Sequence, residues 1–182
     1  GASWEDCTGD LLRLSAQDHL KSAIGSDLEF EGMADAHALA VSIVGKQKVF
    51  LATRMGLFTS DDRGHSWEEL GIGRFSPLTY ARDVKVSSHD PNTLFVALSE
   101  ASRGDAGSLY VSRDAGTSWQ RFDHGVELTS TLMVIAESST DLGRLFGGGR
   151  SGQVIGTMDG GGSWVEYGMP EGVEDLYALA CH

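Results

Sequence analysis

Apolar and polar positions in this chain alternate in short bursts, without the long stripes of a helical protein. Three units in succession open on a brief apolar run: Ala38-Leu39-Ala40-Val41, Val84-Lys85-Val86 and Met133-Val134-Ile135-Ala136. A turn follows, then a second run: Val49-Phe50-Leu51-Ala52, Leu94-Phe95-Val96-Ala97-Leu98 and the weaker Arg144-Leu145-Phe146-Gly147. Runs this short, bounded by turn signals, predict β-strands. His89-Asp90-Pro91-Asn92 is a strong break between two of them. One segment does not repeat. From Asp10 to Lys21 the apolar residues Leu11, Leu12, Leu14, Ala16 and Leu20 fall near helical spacing, which predicts a short helix ended near Gly25. The acidic stretch Asp27-Leu28-Glu29-Phe30-Glu31 follows it. So long a connection between strands is unusual, and such loops often carry function.

The third run of each unit leads into one recurring pattern. It reads Gly56-Leu57-Phe58-Thr59-Ser60-Asp61-Asp62-Arg63-Gly64-His65-Ser66-Trp67 in the first unit and Ser108-Leu109-Tyr110-Val111-Ser112-Arg113-Asp114-Ala115-Gly116-Thr117-Ser118-Trp119 in the second. In the third it reads Gln153-Val154-Ile155-Gly156-Thr157-Met158-Asp159-Gly160-Gly161-Gly162-Ser163-Trp164. Each obeys Ser/Thr-x-Asp-x-Gly-x-Ser-Trp, and Gly1-Ala2-Ser3-Trp4 reads as the last half of a fourth copy. Every tryptophan of the protein therefore occupies the same repeat position. A pattern between two β-runs should be a hairpin turn. Its Asp accepts hydrogen bonds from backbone N–H groups of the turn, and its Gly permits a positive φ. The Trp opens the next strand and buries its ring. Ser60, Asp62, Gly64 and Trp67, with Ser112, Asp114, Gly116 and Trp119 and with Thr157, Asp159, Gly161 and Trp164, are accordingly read as structural and not catalytic.

The pattern resembles the Asp box (BNR repeat) of sialidases, xyloglucanase-type glycoside hydrolases, sortilin-like receptors and photosystem assembly factors. The resemblance covers nearly the whole chain from residue 35 onward. It implies an all-β fold: a β-propeller segment of about three complete four-stranded blades plus flanking strands, with one short inserted helix. On this reading residues 1–7 are the last strand of a preceding blade and 8–34 an inter-blade insertion. Residues 35–71, 72–123 and 124–168 are blades, and 169–182 hold the first strand of a shared or closing blade. The chain then reads as the C-terminal portion of a longer propeller, with the remaining blades in the same natural chain or a second one. The box is specific for a blade and not for a function.

Composition adds limits. Gly contributes 24 of the 182 residues and Pro only 3, in keeping with many tight turns. A formal net charge of −12 speaks against binding a phosphate backbone, so no nucleic-acid partner is expected. No apolar run approaches the roughly 20 residues that cross a bilayer; no membrane span is expected, and a soluble protein, cytoplasmic by slight preference, is. Cys7 and Cys181 lack any CxxC or Cys/His cluster and read as two buried thiols, with a disulfide the alternative. No cofactor and no metal is expected; His19, Glu31, Asp35 and His37 are the one alternative metal set, without a recognised spacing.

Strand order places loops that enter first strands on the same side as loops joining second to third strands, opposite the Asp turns. Aligning first strands sets Asp35-Ala36-His37 beside Tyr80-Ala81-Arg82, Ser130-Thr131-Leu132 and Glu174-Asp175-Leu176. Asp35, His37, Tyr80, Arg82, Glu174 and Asp175 are thus expected near a channel mouth. Arg54 and Arg150 join them from the second-to-third-strand loops; Asp105, with Arg103 nearby, holds that position in the second unit. Such a mouth suits an anionic or polyhydroxylated ligand, since Arg binds a carboxylate bidentately; ion pairs rimming a solvated channel are the bland alternative. The expected function is a ligand- or partner-binding propeller whose partner is a carbohydrate, an anionic small molecule or a protein. The alternative is a sialidase-like glycoside hydrolase whose remaining site residues lie outside this segment. The resemblance would make Arg54, Arg82 and Arg150 imitate its arginine triad with Tyr80 nearby. Glu31, Asp35 and Asp175 are acid candidates by location only, no Phe/Tyr-Arg-Ile-Pro motif is present, and no catalytic residue is assigned.

Overall fold

The computed structural model describes residues 3–20, 35–43, 47–173 and 175–182. Its strands form three four-stranded antiparallel sheets, each built from consecutive strands. The first holds β1 (Ala36–Ser42), β2 (Lys48–Thr53), β3 (Gly56–Ser60) and β4 (Glu68–Glu69). The second holds β5 (Tyr80–Val86), β6 (Leu94–Ser99), β7 (Gly107–Ser112) and β8 (Gln120–Arg121). The third holds β9 (Leu132–Glu137), β10 (Leu145–Gly149), β11 (Val154–Thr157) and β12 (Val165–Tyr167). These strands fall on the apolar runs of the sequence. No helix of the described residues is long and apolar enough to cross a membrane.

Each middle strand is apolar on both faces, so each sheet must be covered on both sides. The sheets therefore stack face to face. β5 lies against β1 and β2, and β9 lies against β5 and β6. The first seam buries Phe50, Ala52 and Leu57 against Ala81, Val84 and Val96. The second repeats it with Phe95, Ala97 and Leu109 against Leu132, Ile135 and Ile155. Register makes the correspondence exact residue for residue: Phe50, Phe95 and Phe146 are equivalent, as are Ala52, Ala97 and Gly148. A small residue on the second strand leaves room for the first strand of the next sheet.

The expected helix is present but shorter. α1 (Gly9–Ser15) gives way to a single 3-10 turn at Asp18–Leu20. Leu11, Leu14 and Leu20 pack on Leu51, Phe58 and Trp67, so the tighter turn carries Leu20 to the same surface. The Asp10 carboxylate accepts from Trp67 N at 2.7 Å and pins the helix to the first sheet. Gly25, the expected end, and the acidic stretch 27–31 lie outside the described residues. The cysteines are free and partly exposed, which corrects the expectation of two buried thiols. Trp4, expected to be buried like the other tryptophans, is 94% exposed, because no sheet of the described residues covers its ring.

The three recurring turns are superimposable in their hydrogen bonds. Asp62 Oδ1 accepts from Ser66 N at 2.8 Å and Oδ2 from Ser66 Oγ at 2.6 Å. Asp114 repeats this with Ser118 at 2.8 and 2.6 Å, and Asp159 with Ser163 at 2.8 and 2.7 Å. The Ser60, Ser112 and Thr157 hydroxyls donate to those aspartates and accept from Gly64, Gly116 and Gly161 N. The glycines sit at φ of 93°, 87° and 90°, where a side chain would be strained. The tryptophans then meet the chain arriving from the preceding sheet. Trp119 stacks on Phe75, and Trp164 meets Phe122 edge-on.

Hydrogen bonds from Ser66 hold the Asp62 carboxyl down to about 2, and those from Ser163 do the same for Asp159. A depressed folded-state value means their contribution to stability is present above the unfolded value of 3.8 and is lost as pH falls towards about 2. Asp159→Asn is expected to lower Tm at pH 7 and to flatten the fall of Tm between pH 4 and 2. Thermal denaturation across that range checks it; an unchanged acid slope refutes it.

Candidate binding rim

First-strand entries and second-to-third-strand turns converge at the end of the sheets opposite the Asp turns. In β1 and β5 the ladder skips one residue, His37 and Arg82 respectively; in the third sheet it skips Met133. A skipped residue is a bulge, which bends its strand and re-aims its side chain. This register amends the sequence alignment. Leu132 pairs with Gly149 as Ala36 pairs with Thr53, so Thr131, and not Ser130, stands where Asp35 and Tyr80 stand. Arg54 and Arg150 correspond in the second sheet to Ser99, which pairs with Tyr80, and not to Asp105. Indels between β6 and β7 hide this in the sequence.

Asp35, His37, Arg54 and Tyr80 meet in one cluster. Arg54 donates from Nε and Nη2 to the same oxygen, Asp35 Oδ2, at 3.2 and 3.1 Å. His37 Nδ1 lies 2.7 Å from the Ala81 carbonyl oxygen, which can only accept, so this nitrogen carries the proton. Nε2 is then the acceptor in the neutral ring, and the Tyr80 hydroxyl donates to it at 3.2 Å. The two rings lie 4.9 Å apart. His37 thereby ties β1 to the backbone of β5. Burial pushes its pKa below the ordinary 6.5 and the nearby Arg82 adds to this, against the Ala81 bond and Asp35, whose Oδ2 is 3.4 Å from Nε2.

Tyr80 is the electrostatic centre of the rim. Burial pushes its hydroxyl pKa up, while Arg82, Arg54 and Arg150 pull it down and Asp35 opposes them. Three guanidinium groups thus act on one phenol. They are not equivalent. Arg54 is held by Asp35. Arg150 donates to Tyr177 Oη at 2.9 Å and to the Ser102 carbonyl at 3.3 Å, lies 3.6 Å from Asp175, and covers the Tyr177 ring. Arg82 has neither an ion pair nor a hydrogen bond among the described residues. Glu174 lies outside them.

His19 stands apart, 2.9 Å from Glu69, so it does not join Asp35 and His37; Glu31 is outside the described residues. No three His, Cys, Asp or Glu side chains of the described residues are placed to hold a metal ion.

Sequence reading missed Tyr177, Ser99 and two buried aspartates. Asp83 accepts from Ile135 N at 2.9 Å and joins the second and third sheets; burial pushes its pKa up. Asp123 accepts from Ser108 Oγ and Arg121 Nε on one oxygen, with the other buried and without a partner among the described residues. Asp83 stands in a strand with two other charged residues, Arg82 and Lys85, so nothing in the sequence set it apart. A groove of about 330 Å³ between Pro77, Tyr110, Arg121 and Leu128 was also not foreseen.

The opposing effects on His37 give a clean expectation. Its NMR titration midpoint should lie below the ordinary 6.5, rise in Arg82→Ala and fall in Asp35→Asn. Imidazole ¹⁵N shifts against pH measure this, and equal midpoints in all three proteins would refute the assignment.

No family model matches the chain, and no curated protein matches it. Solved structures do. An ancestral GH74 enzyme is 19% identical over 71% of this chain and 18% of its own, with a TM-score of 0.54. YCF48 bound to D1 peptide is 16% identical over 72% of this chain and 40% of its own, TM-score 0.53. The GH74 xyloglucanase from Xanthomonas campestris is 20% identical over 77% and 24%, TM-score 0.52. The chain thus spans well under half the length of each. At such identity the likeness is one of fold, and the fold is that of a β-propeller, of which this chain forms three four-stranded blades.

Proposed function

We propose that this segment is a binding propeller whose inner rim takes an anionic ligand, either the acidic side chains of a protein partner or a carboxylated sugar. The observation that carries this reading is Arg82: a half-buried arginine that acts electrostatically on Tyr80 and His37 and has no hydrogen bond or ion pair among the described residues, while Arg54 and Arg150 are already engaged. An unpaired guanidinium offers two parallel N–H donors to a carboxylate. Asp35, His37, Arg54, Tyr80, Arg150 and Asp175 would shape the site around it, with Glu174 as a further candidate. Ser60, Asp62, Gly64 and Trp67, and their counterparts in the other two blades, would be Asp boxes that hold the blades and touch no ligand. YCF48, a structural neighbour, is seen with a bound peptide, which supports placing a protein among the candidate partners.

A glycoside hydrolase of sialidase-like type is the second reading, favoured by Tyr80 beside arginines and by the GH74 neighbours. It would need Tyr80 activated as a nucleophile. Burial instead pushes its pKa up, and no carboxylate is assigned as its acidic partner, so binding is preferred.

The test is NMR shift mapping with an acidic peptide, a carboxylated monosaccharide and a neutral oligosaccharide. Shifts should centre on Tyr80, Arg82 and Arg54 for the anionic ligands, and Arg82→Ala should weaken binding by about tenfold or more. No response at the rim to any anion would sink the binding reading. Turnover of a fluorogenic glycoside, abolished in Arg82→Ala, would replace it with the hydrolase.

A further inference from the structure

The second and third blades carry the same cleft twice. Each cleft lies between two successive blade-to-blade connections, over the third and fourth strands of the blade between them. In the second blade it runs from Pro77 and Leu78 to Glu127 and Thr129, over Ser108, Tyr110 and Arg121. In the third it runs from Glu127 and Thr129 to residues 168–173, over Gln153, Glu166 and Tyr167, and measures about 610 Å³. Glu127 and Thr129 form a wall common to both. Register equates Tyr110 with Ile155, so Glu166 stands where Arg121 stands and Gln153 where Ser108 does.

Charge separates the two clefts. The second blade supplies its own cation: Arg121 gives Nε to Asp123 at 2.9 Å and Nη2 to the Val126 carbonyl at 3.2 Å. Asp123, fully buried, still holds one oxygen without a partner among the described residues. In the third blade Glu166 replaces the guanidinium and Gly168 replaces Asp123. Glu127, Glu166 and Glu171 line this cleft, and no Lys, Arg or His does. Among the described residues no ion pair reaches these three side chains, and one hydrogen bond does, from Gln153 Nε2 to Glu166 Oε2 at 3.0 Å.

The far wall is apolar and held in place. Tyr167, Met169 and Val173 all keep more than a third of their surface exposed. The Tyr167 ring leans on Phe146, and Val173 N donates to Pro170 O at 3.3 Å. Gly152 lies so close beneath that a Cβ there would come within 2.8 Å of the Val173 carbonyl oxygen. The wall is thus seated on the turn between β10 and β11.

We propose that the cleft of the third blade docks an arginine, flanked by an apolar residue, from an extended segment of a protein partner. An arginine meets each part of the lining. Its fork pairs with a glutamate, its plane stacks on the Tyr167 ring, and its stem and neighbour cover Met169 and Val173. The chain holds one of its own arginines in the same way: Arg150 covers the Tyr177 ring at 5.3 Å and lies 3.6 Å from Asp175. A lysine ammonium is a point charge that cannot stack. This site is opposite in charge to the rim around Arg82 and does not depend on the reading given to that rim.

The probe is N-acetyl-Leu-Arg-Leu-amide, titrated into ¹⁵N-labelled protein beside its citrulline and lysine counterparts. The arginine peptide should shift the amides of Gln153, Glu166, Tyr167 and Gly172, and its affinity should fall as salt is added. The citrulline peptide should bind about tenfold or more weakly and the lysine peptide about threefold. Glu166→Gln combined with Glu171→Gln should weaken the arginine peptide by about tenfold or more. Glu166→Arg, which installs the second blade's cation, should abolish its binding; if that variant does not fold, the glutamine pair decides. Shifts spread over the acidic surface instead of the cleft, equal affinity for the citrulline or lysine peptide, or undiminished affinity in the folded glutamine pair would each overturn the proposal.

Discussion

A sheet that is oily on both faces has no stable existence alone; it needs a neighbour on each side, and that neighbour has the same need. This constraint generates the architecture of the chain. Phe50, Phe95 and Phe146 supply the bulk and Ala52, Ala97 and Gly148 the space that lets one sheet's first strand settle onto the previous sheet's second. Nothing in this packing refers to chemistry at the rim. The stack is a frame, and the residues at strand entries are free to differ from unit to unit.

The aspartate turns serve the frame in another way. Each draws both carboxylate oxygens into bonds with a single serine and fixes two successive residues at positive φ, Arg63 and Gly64 in the first copy. Most of the turn is satisfied within itself, and its positive-φ residue reaches only the adjacent loop of its own sheet, Ala115 N to Asn92 O and Gly160 N to Gly143 O. It can therefore be repeated from blade to blade with little demand on the neighbouring blades.

Much of this was legible in the sequence because the repeat imposes identical residues at identical spacing. The four-strand order and the tryptophan positions follow from it, while the helix was legible from the apolar spacing of Leu11, Leu14 and Leu20 in the one segment that does not repeat. The rim was legible in part. Asp35, His37, Arg54 and Tyr80 fall together because strand order alone decides which ends meet. The equivalence of Ser99 with Arg54 and Arg150 was not legible, because the β6–β7 connection varies in length while the ladder beneath does not. Nor was the exposure of Trp4 and Leu39, which depends on what lies against them and not on their own pattern. Asp83 escaped notice for a different reason: a buried carboxylate that accepts a neighbouring sheet's N–H looks, in sequence, like any polar residue at a strand's solvent edge.

The bulge near the start of each first strand has an evolutionary corollary. Because the ladder passes over this residue, its side chain is released from the alternation that governs every other position in the strand. Imidazole, guanidinium and thioether occupy it in three successive blades, at His37, Arg82 and Met133. Two of the three have been drawn into the frame, for the His37 side chain is buried on the Ala81 carbonyl and Met133 is buried as well. Arg82 alone has been left over, so the same backbone device serves as a fastener in two blades and as a spare cationic letter in the third.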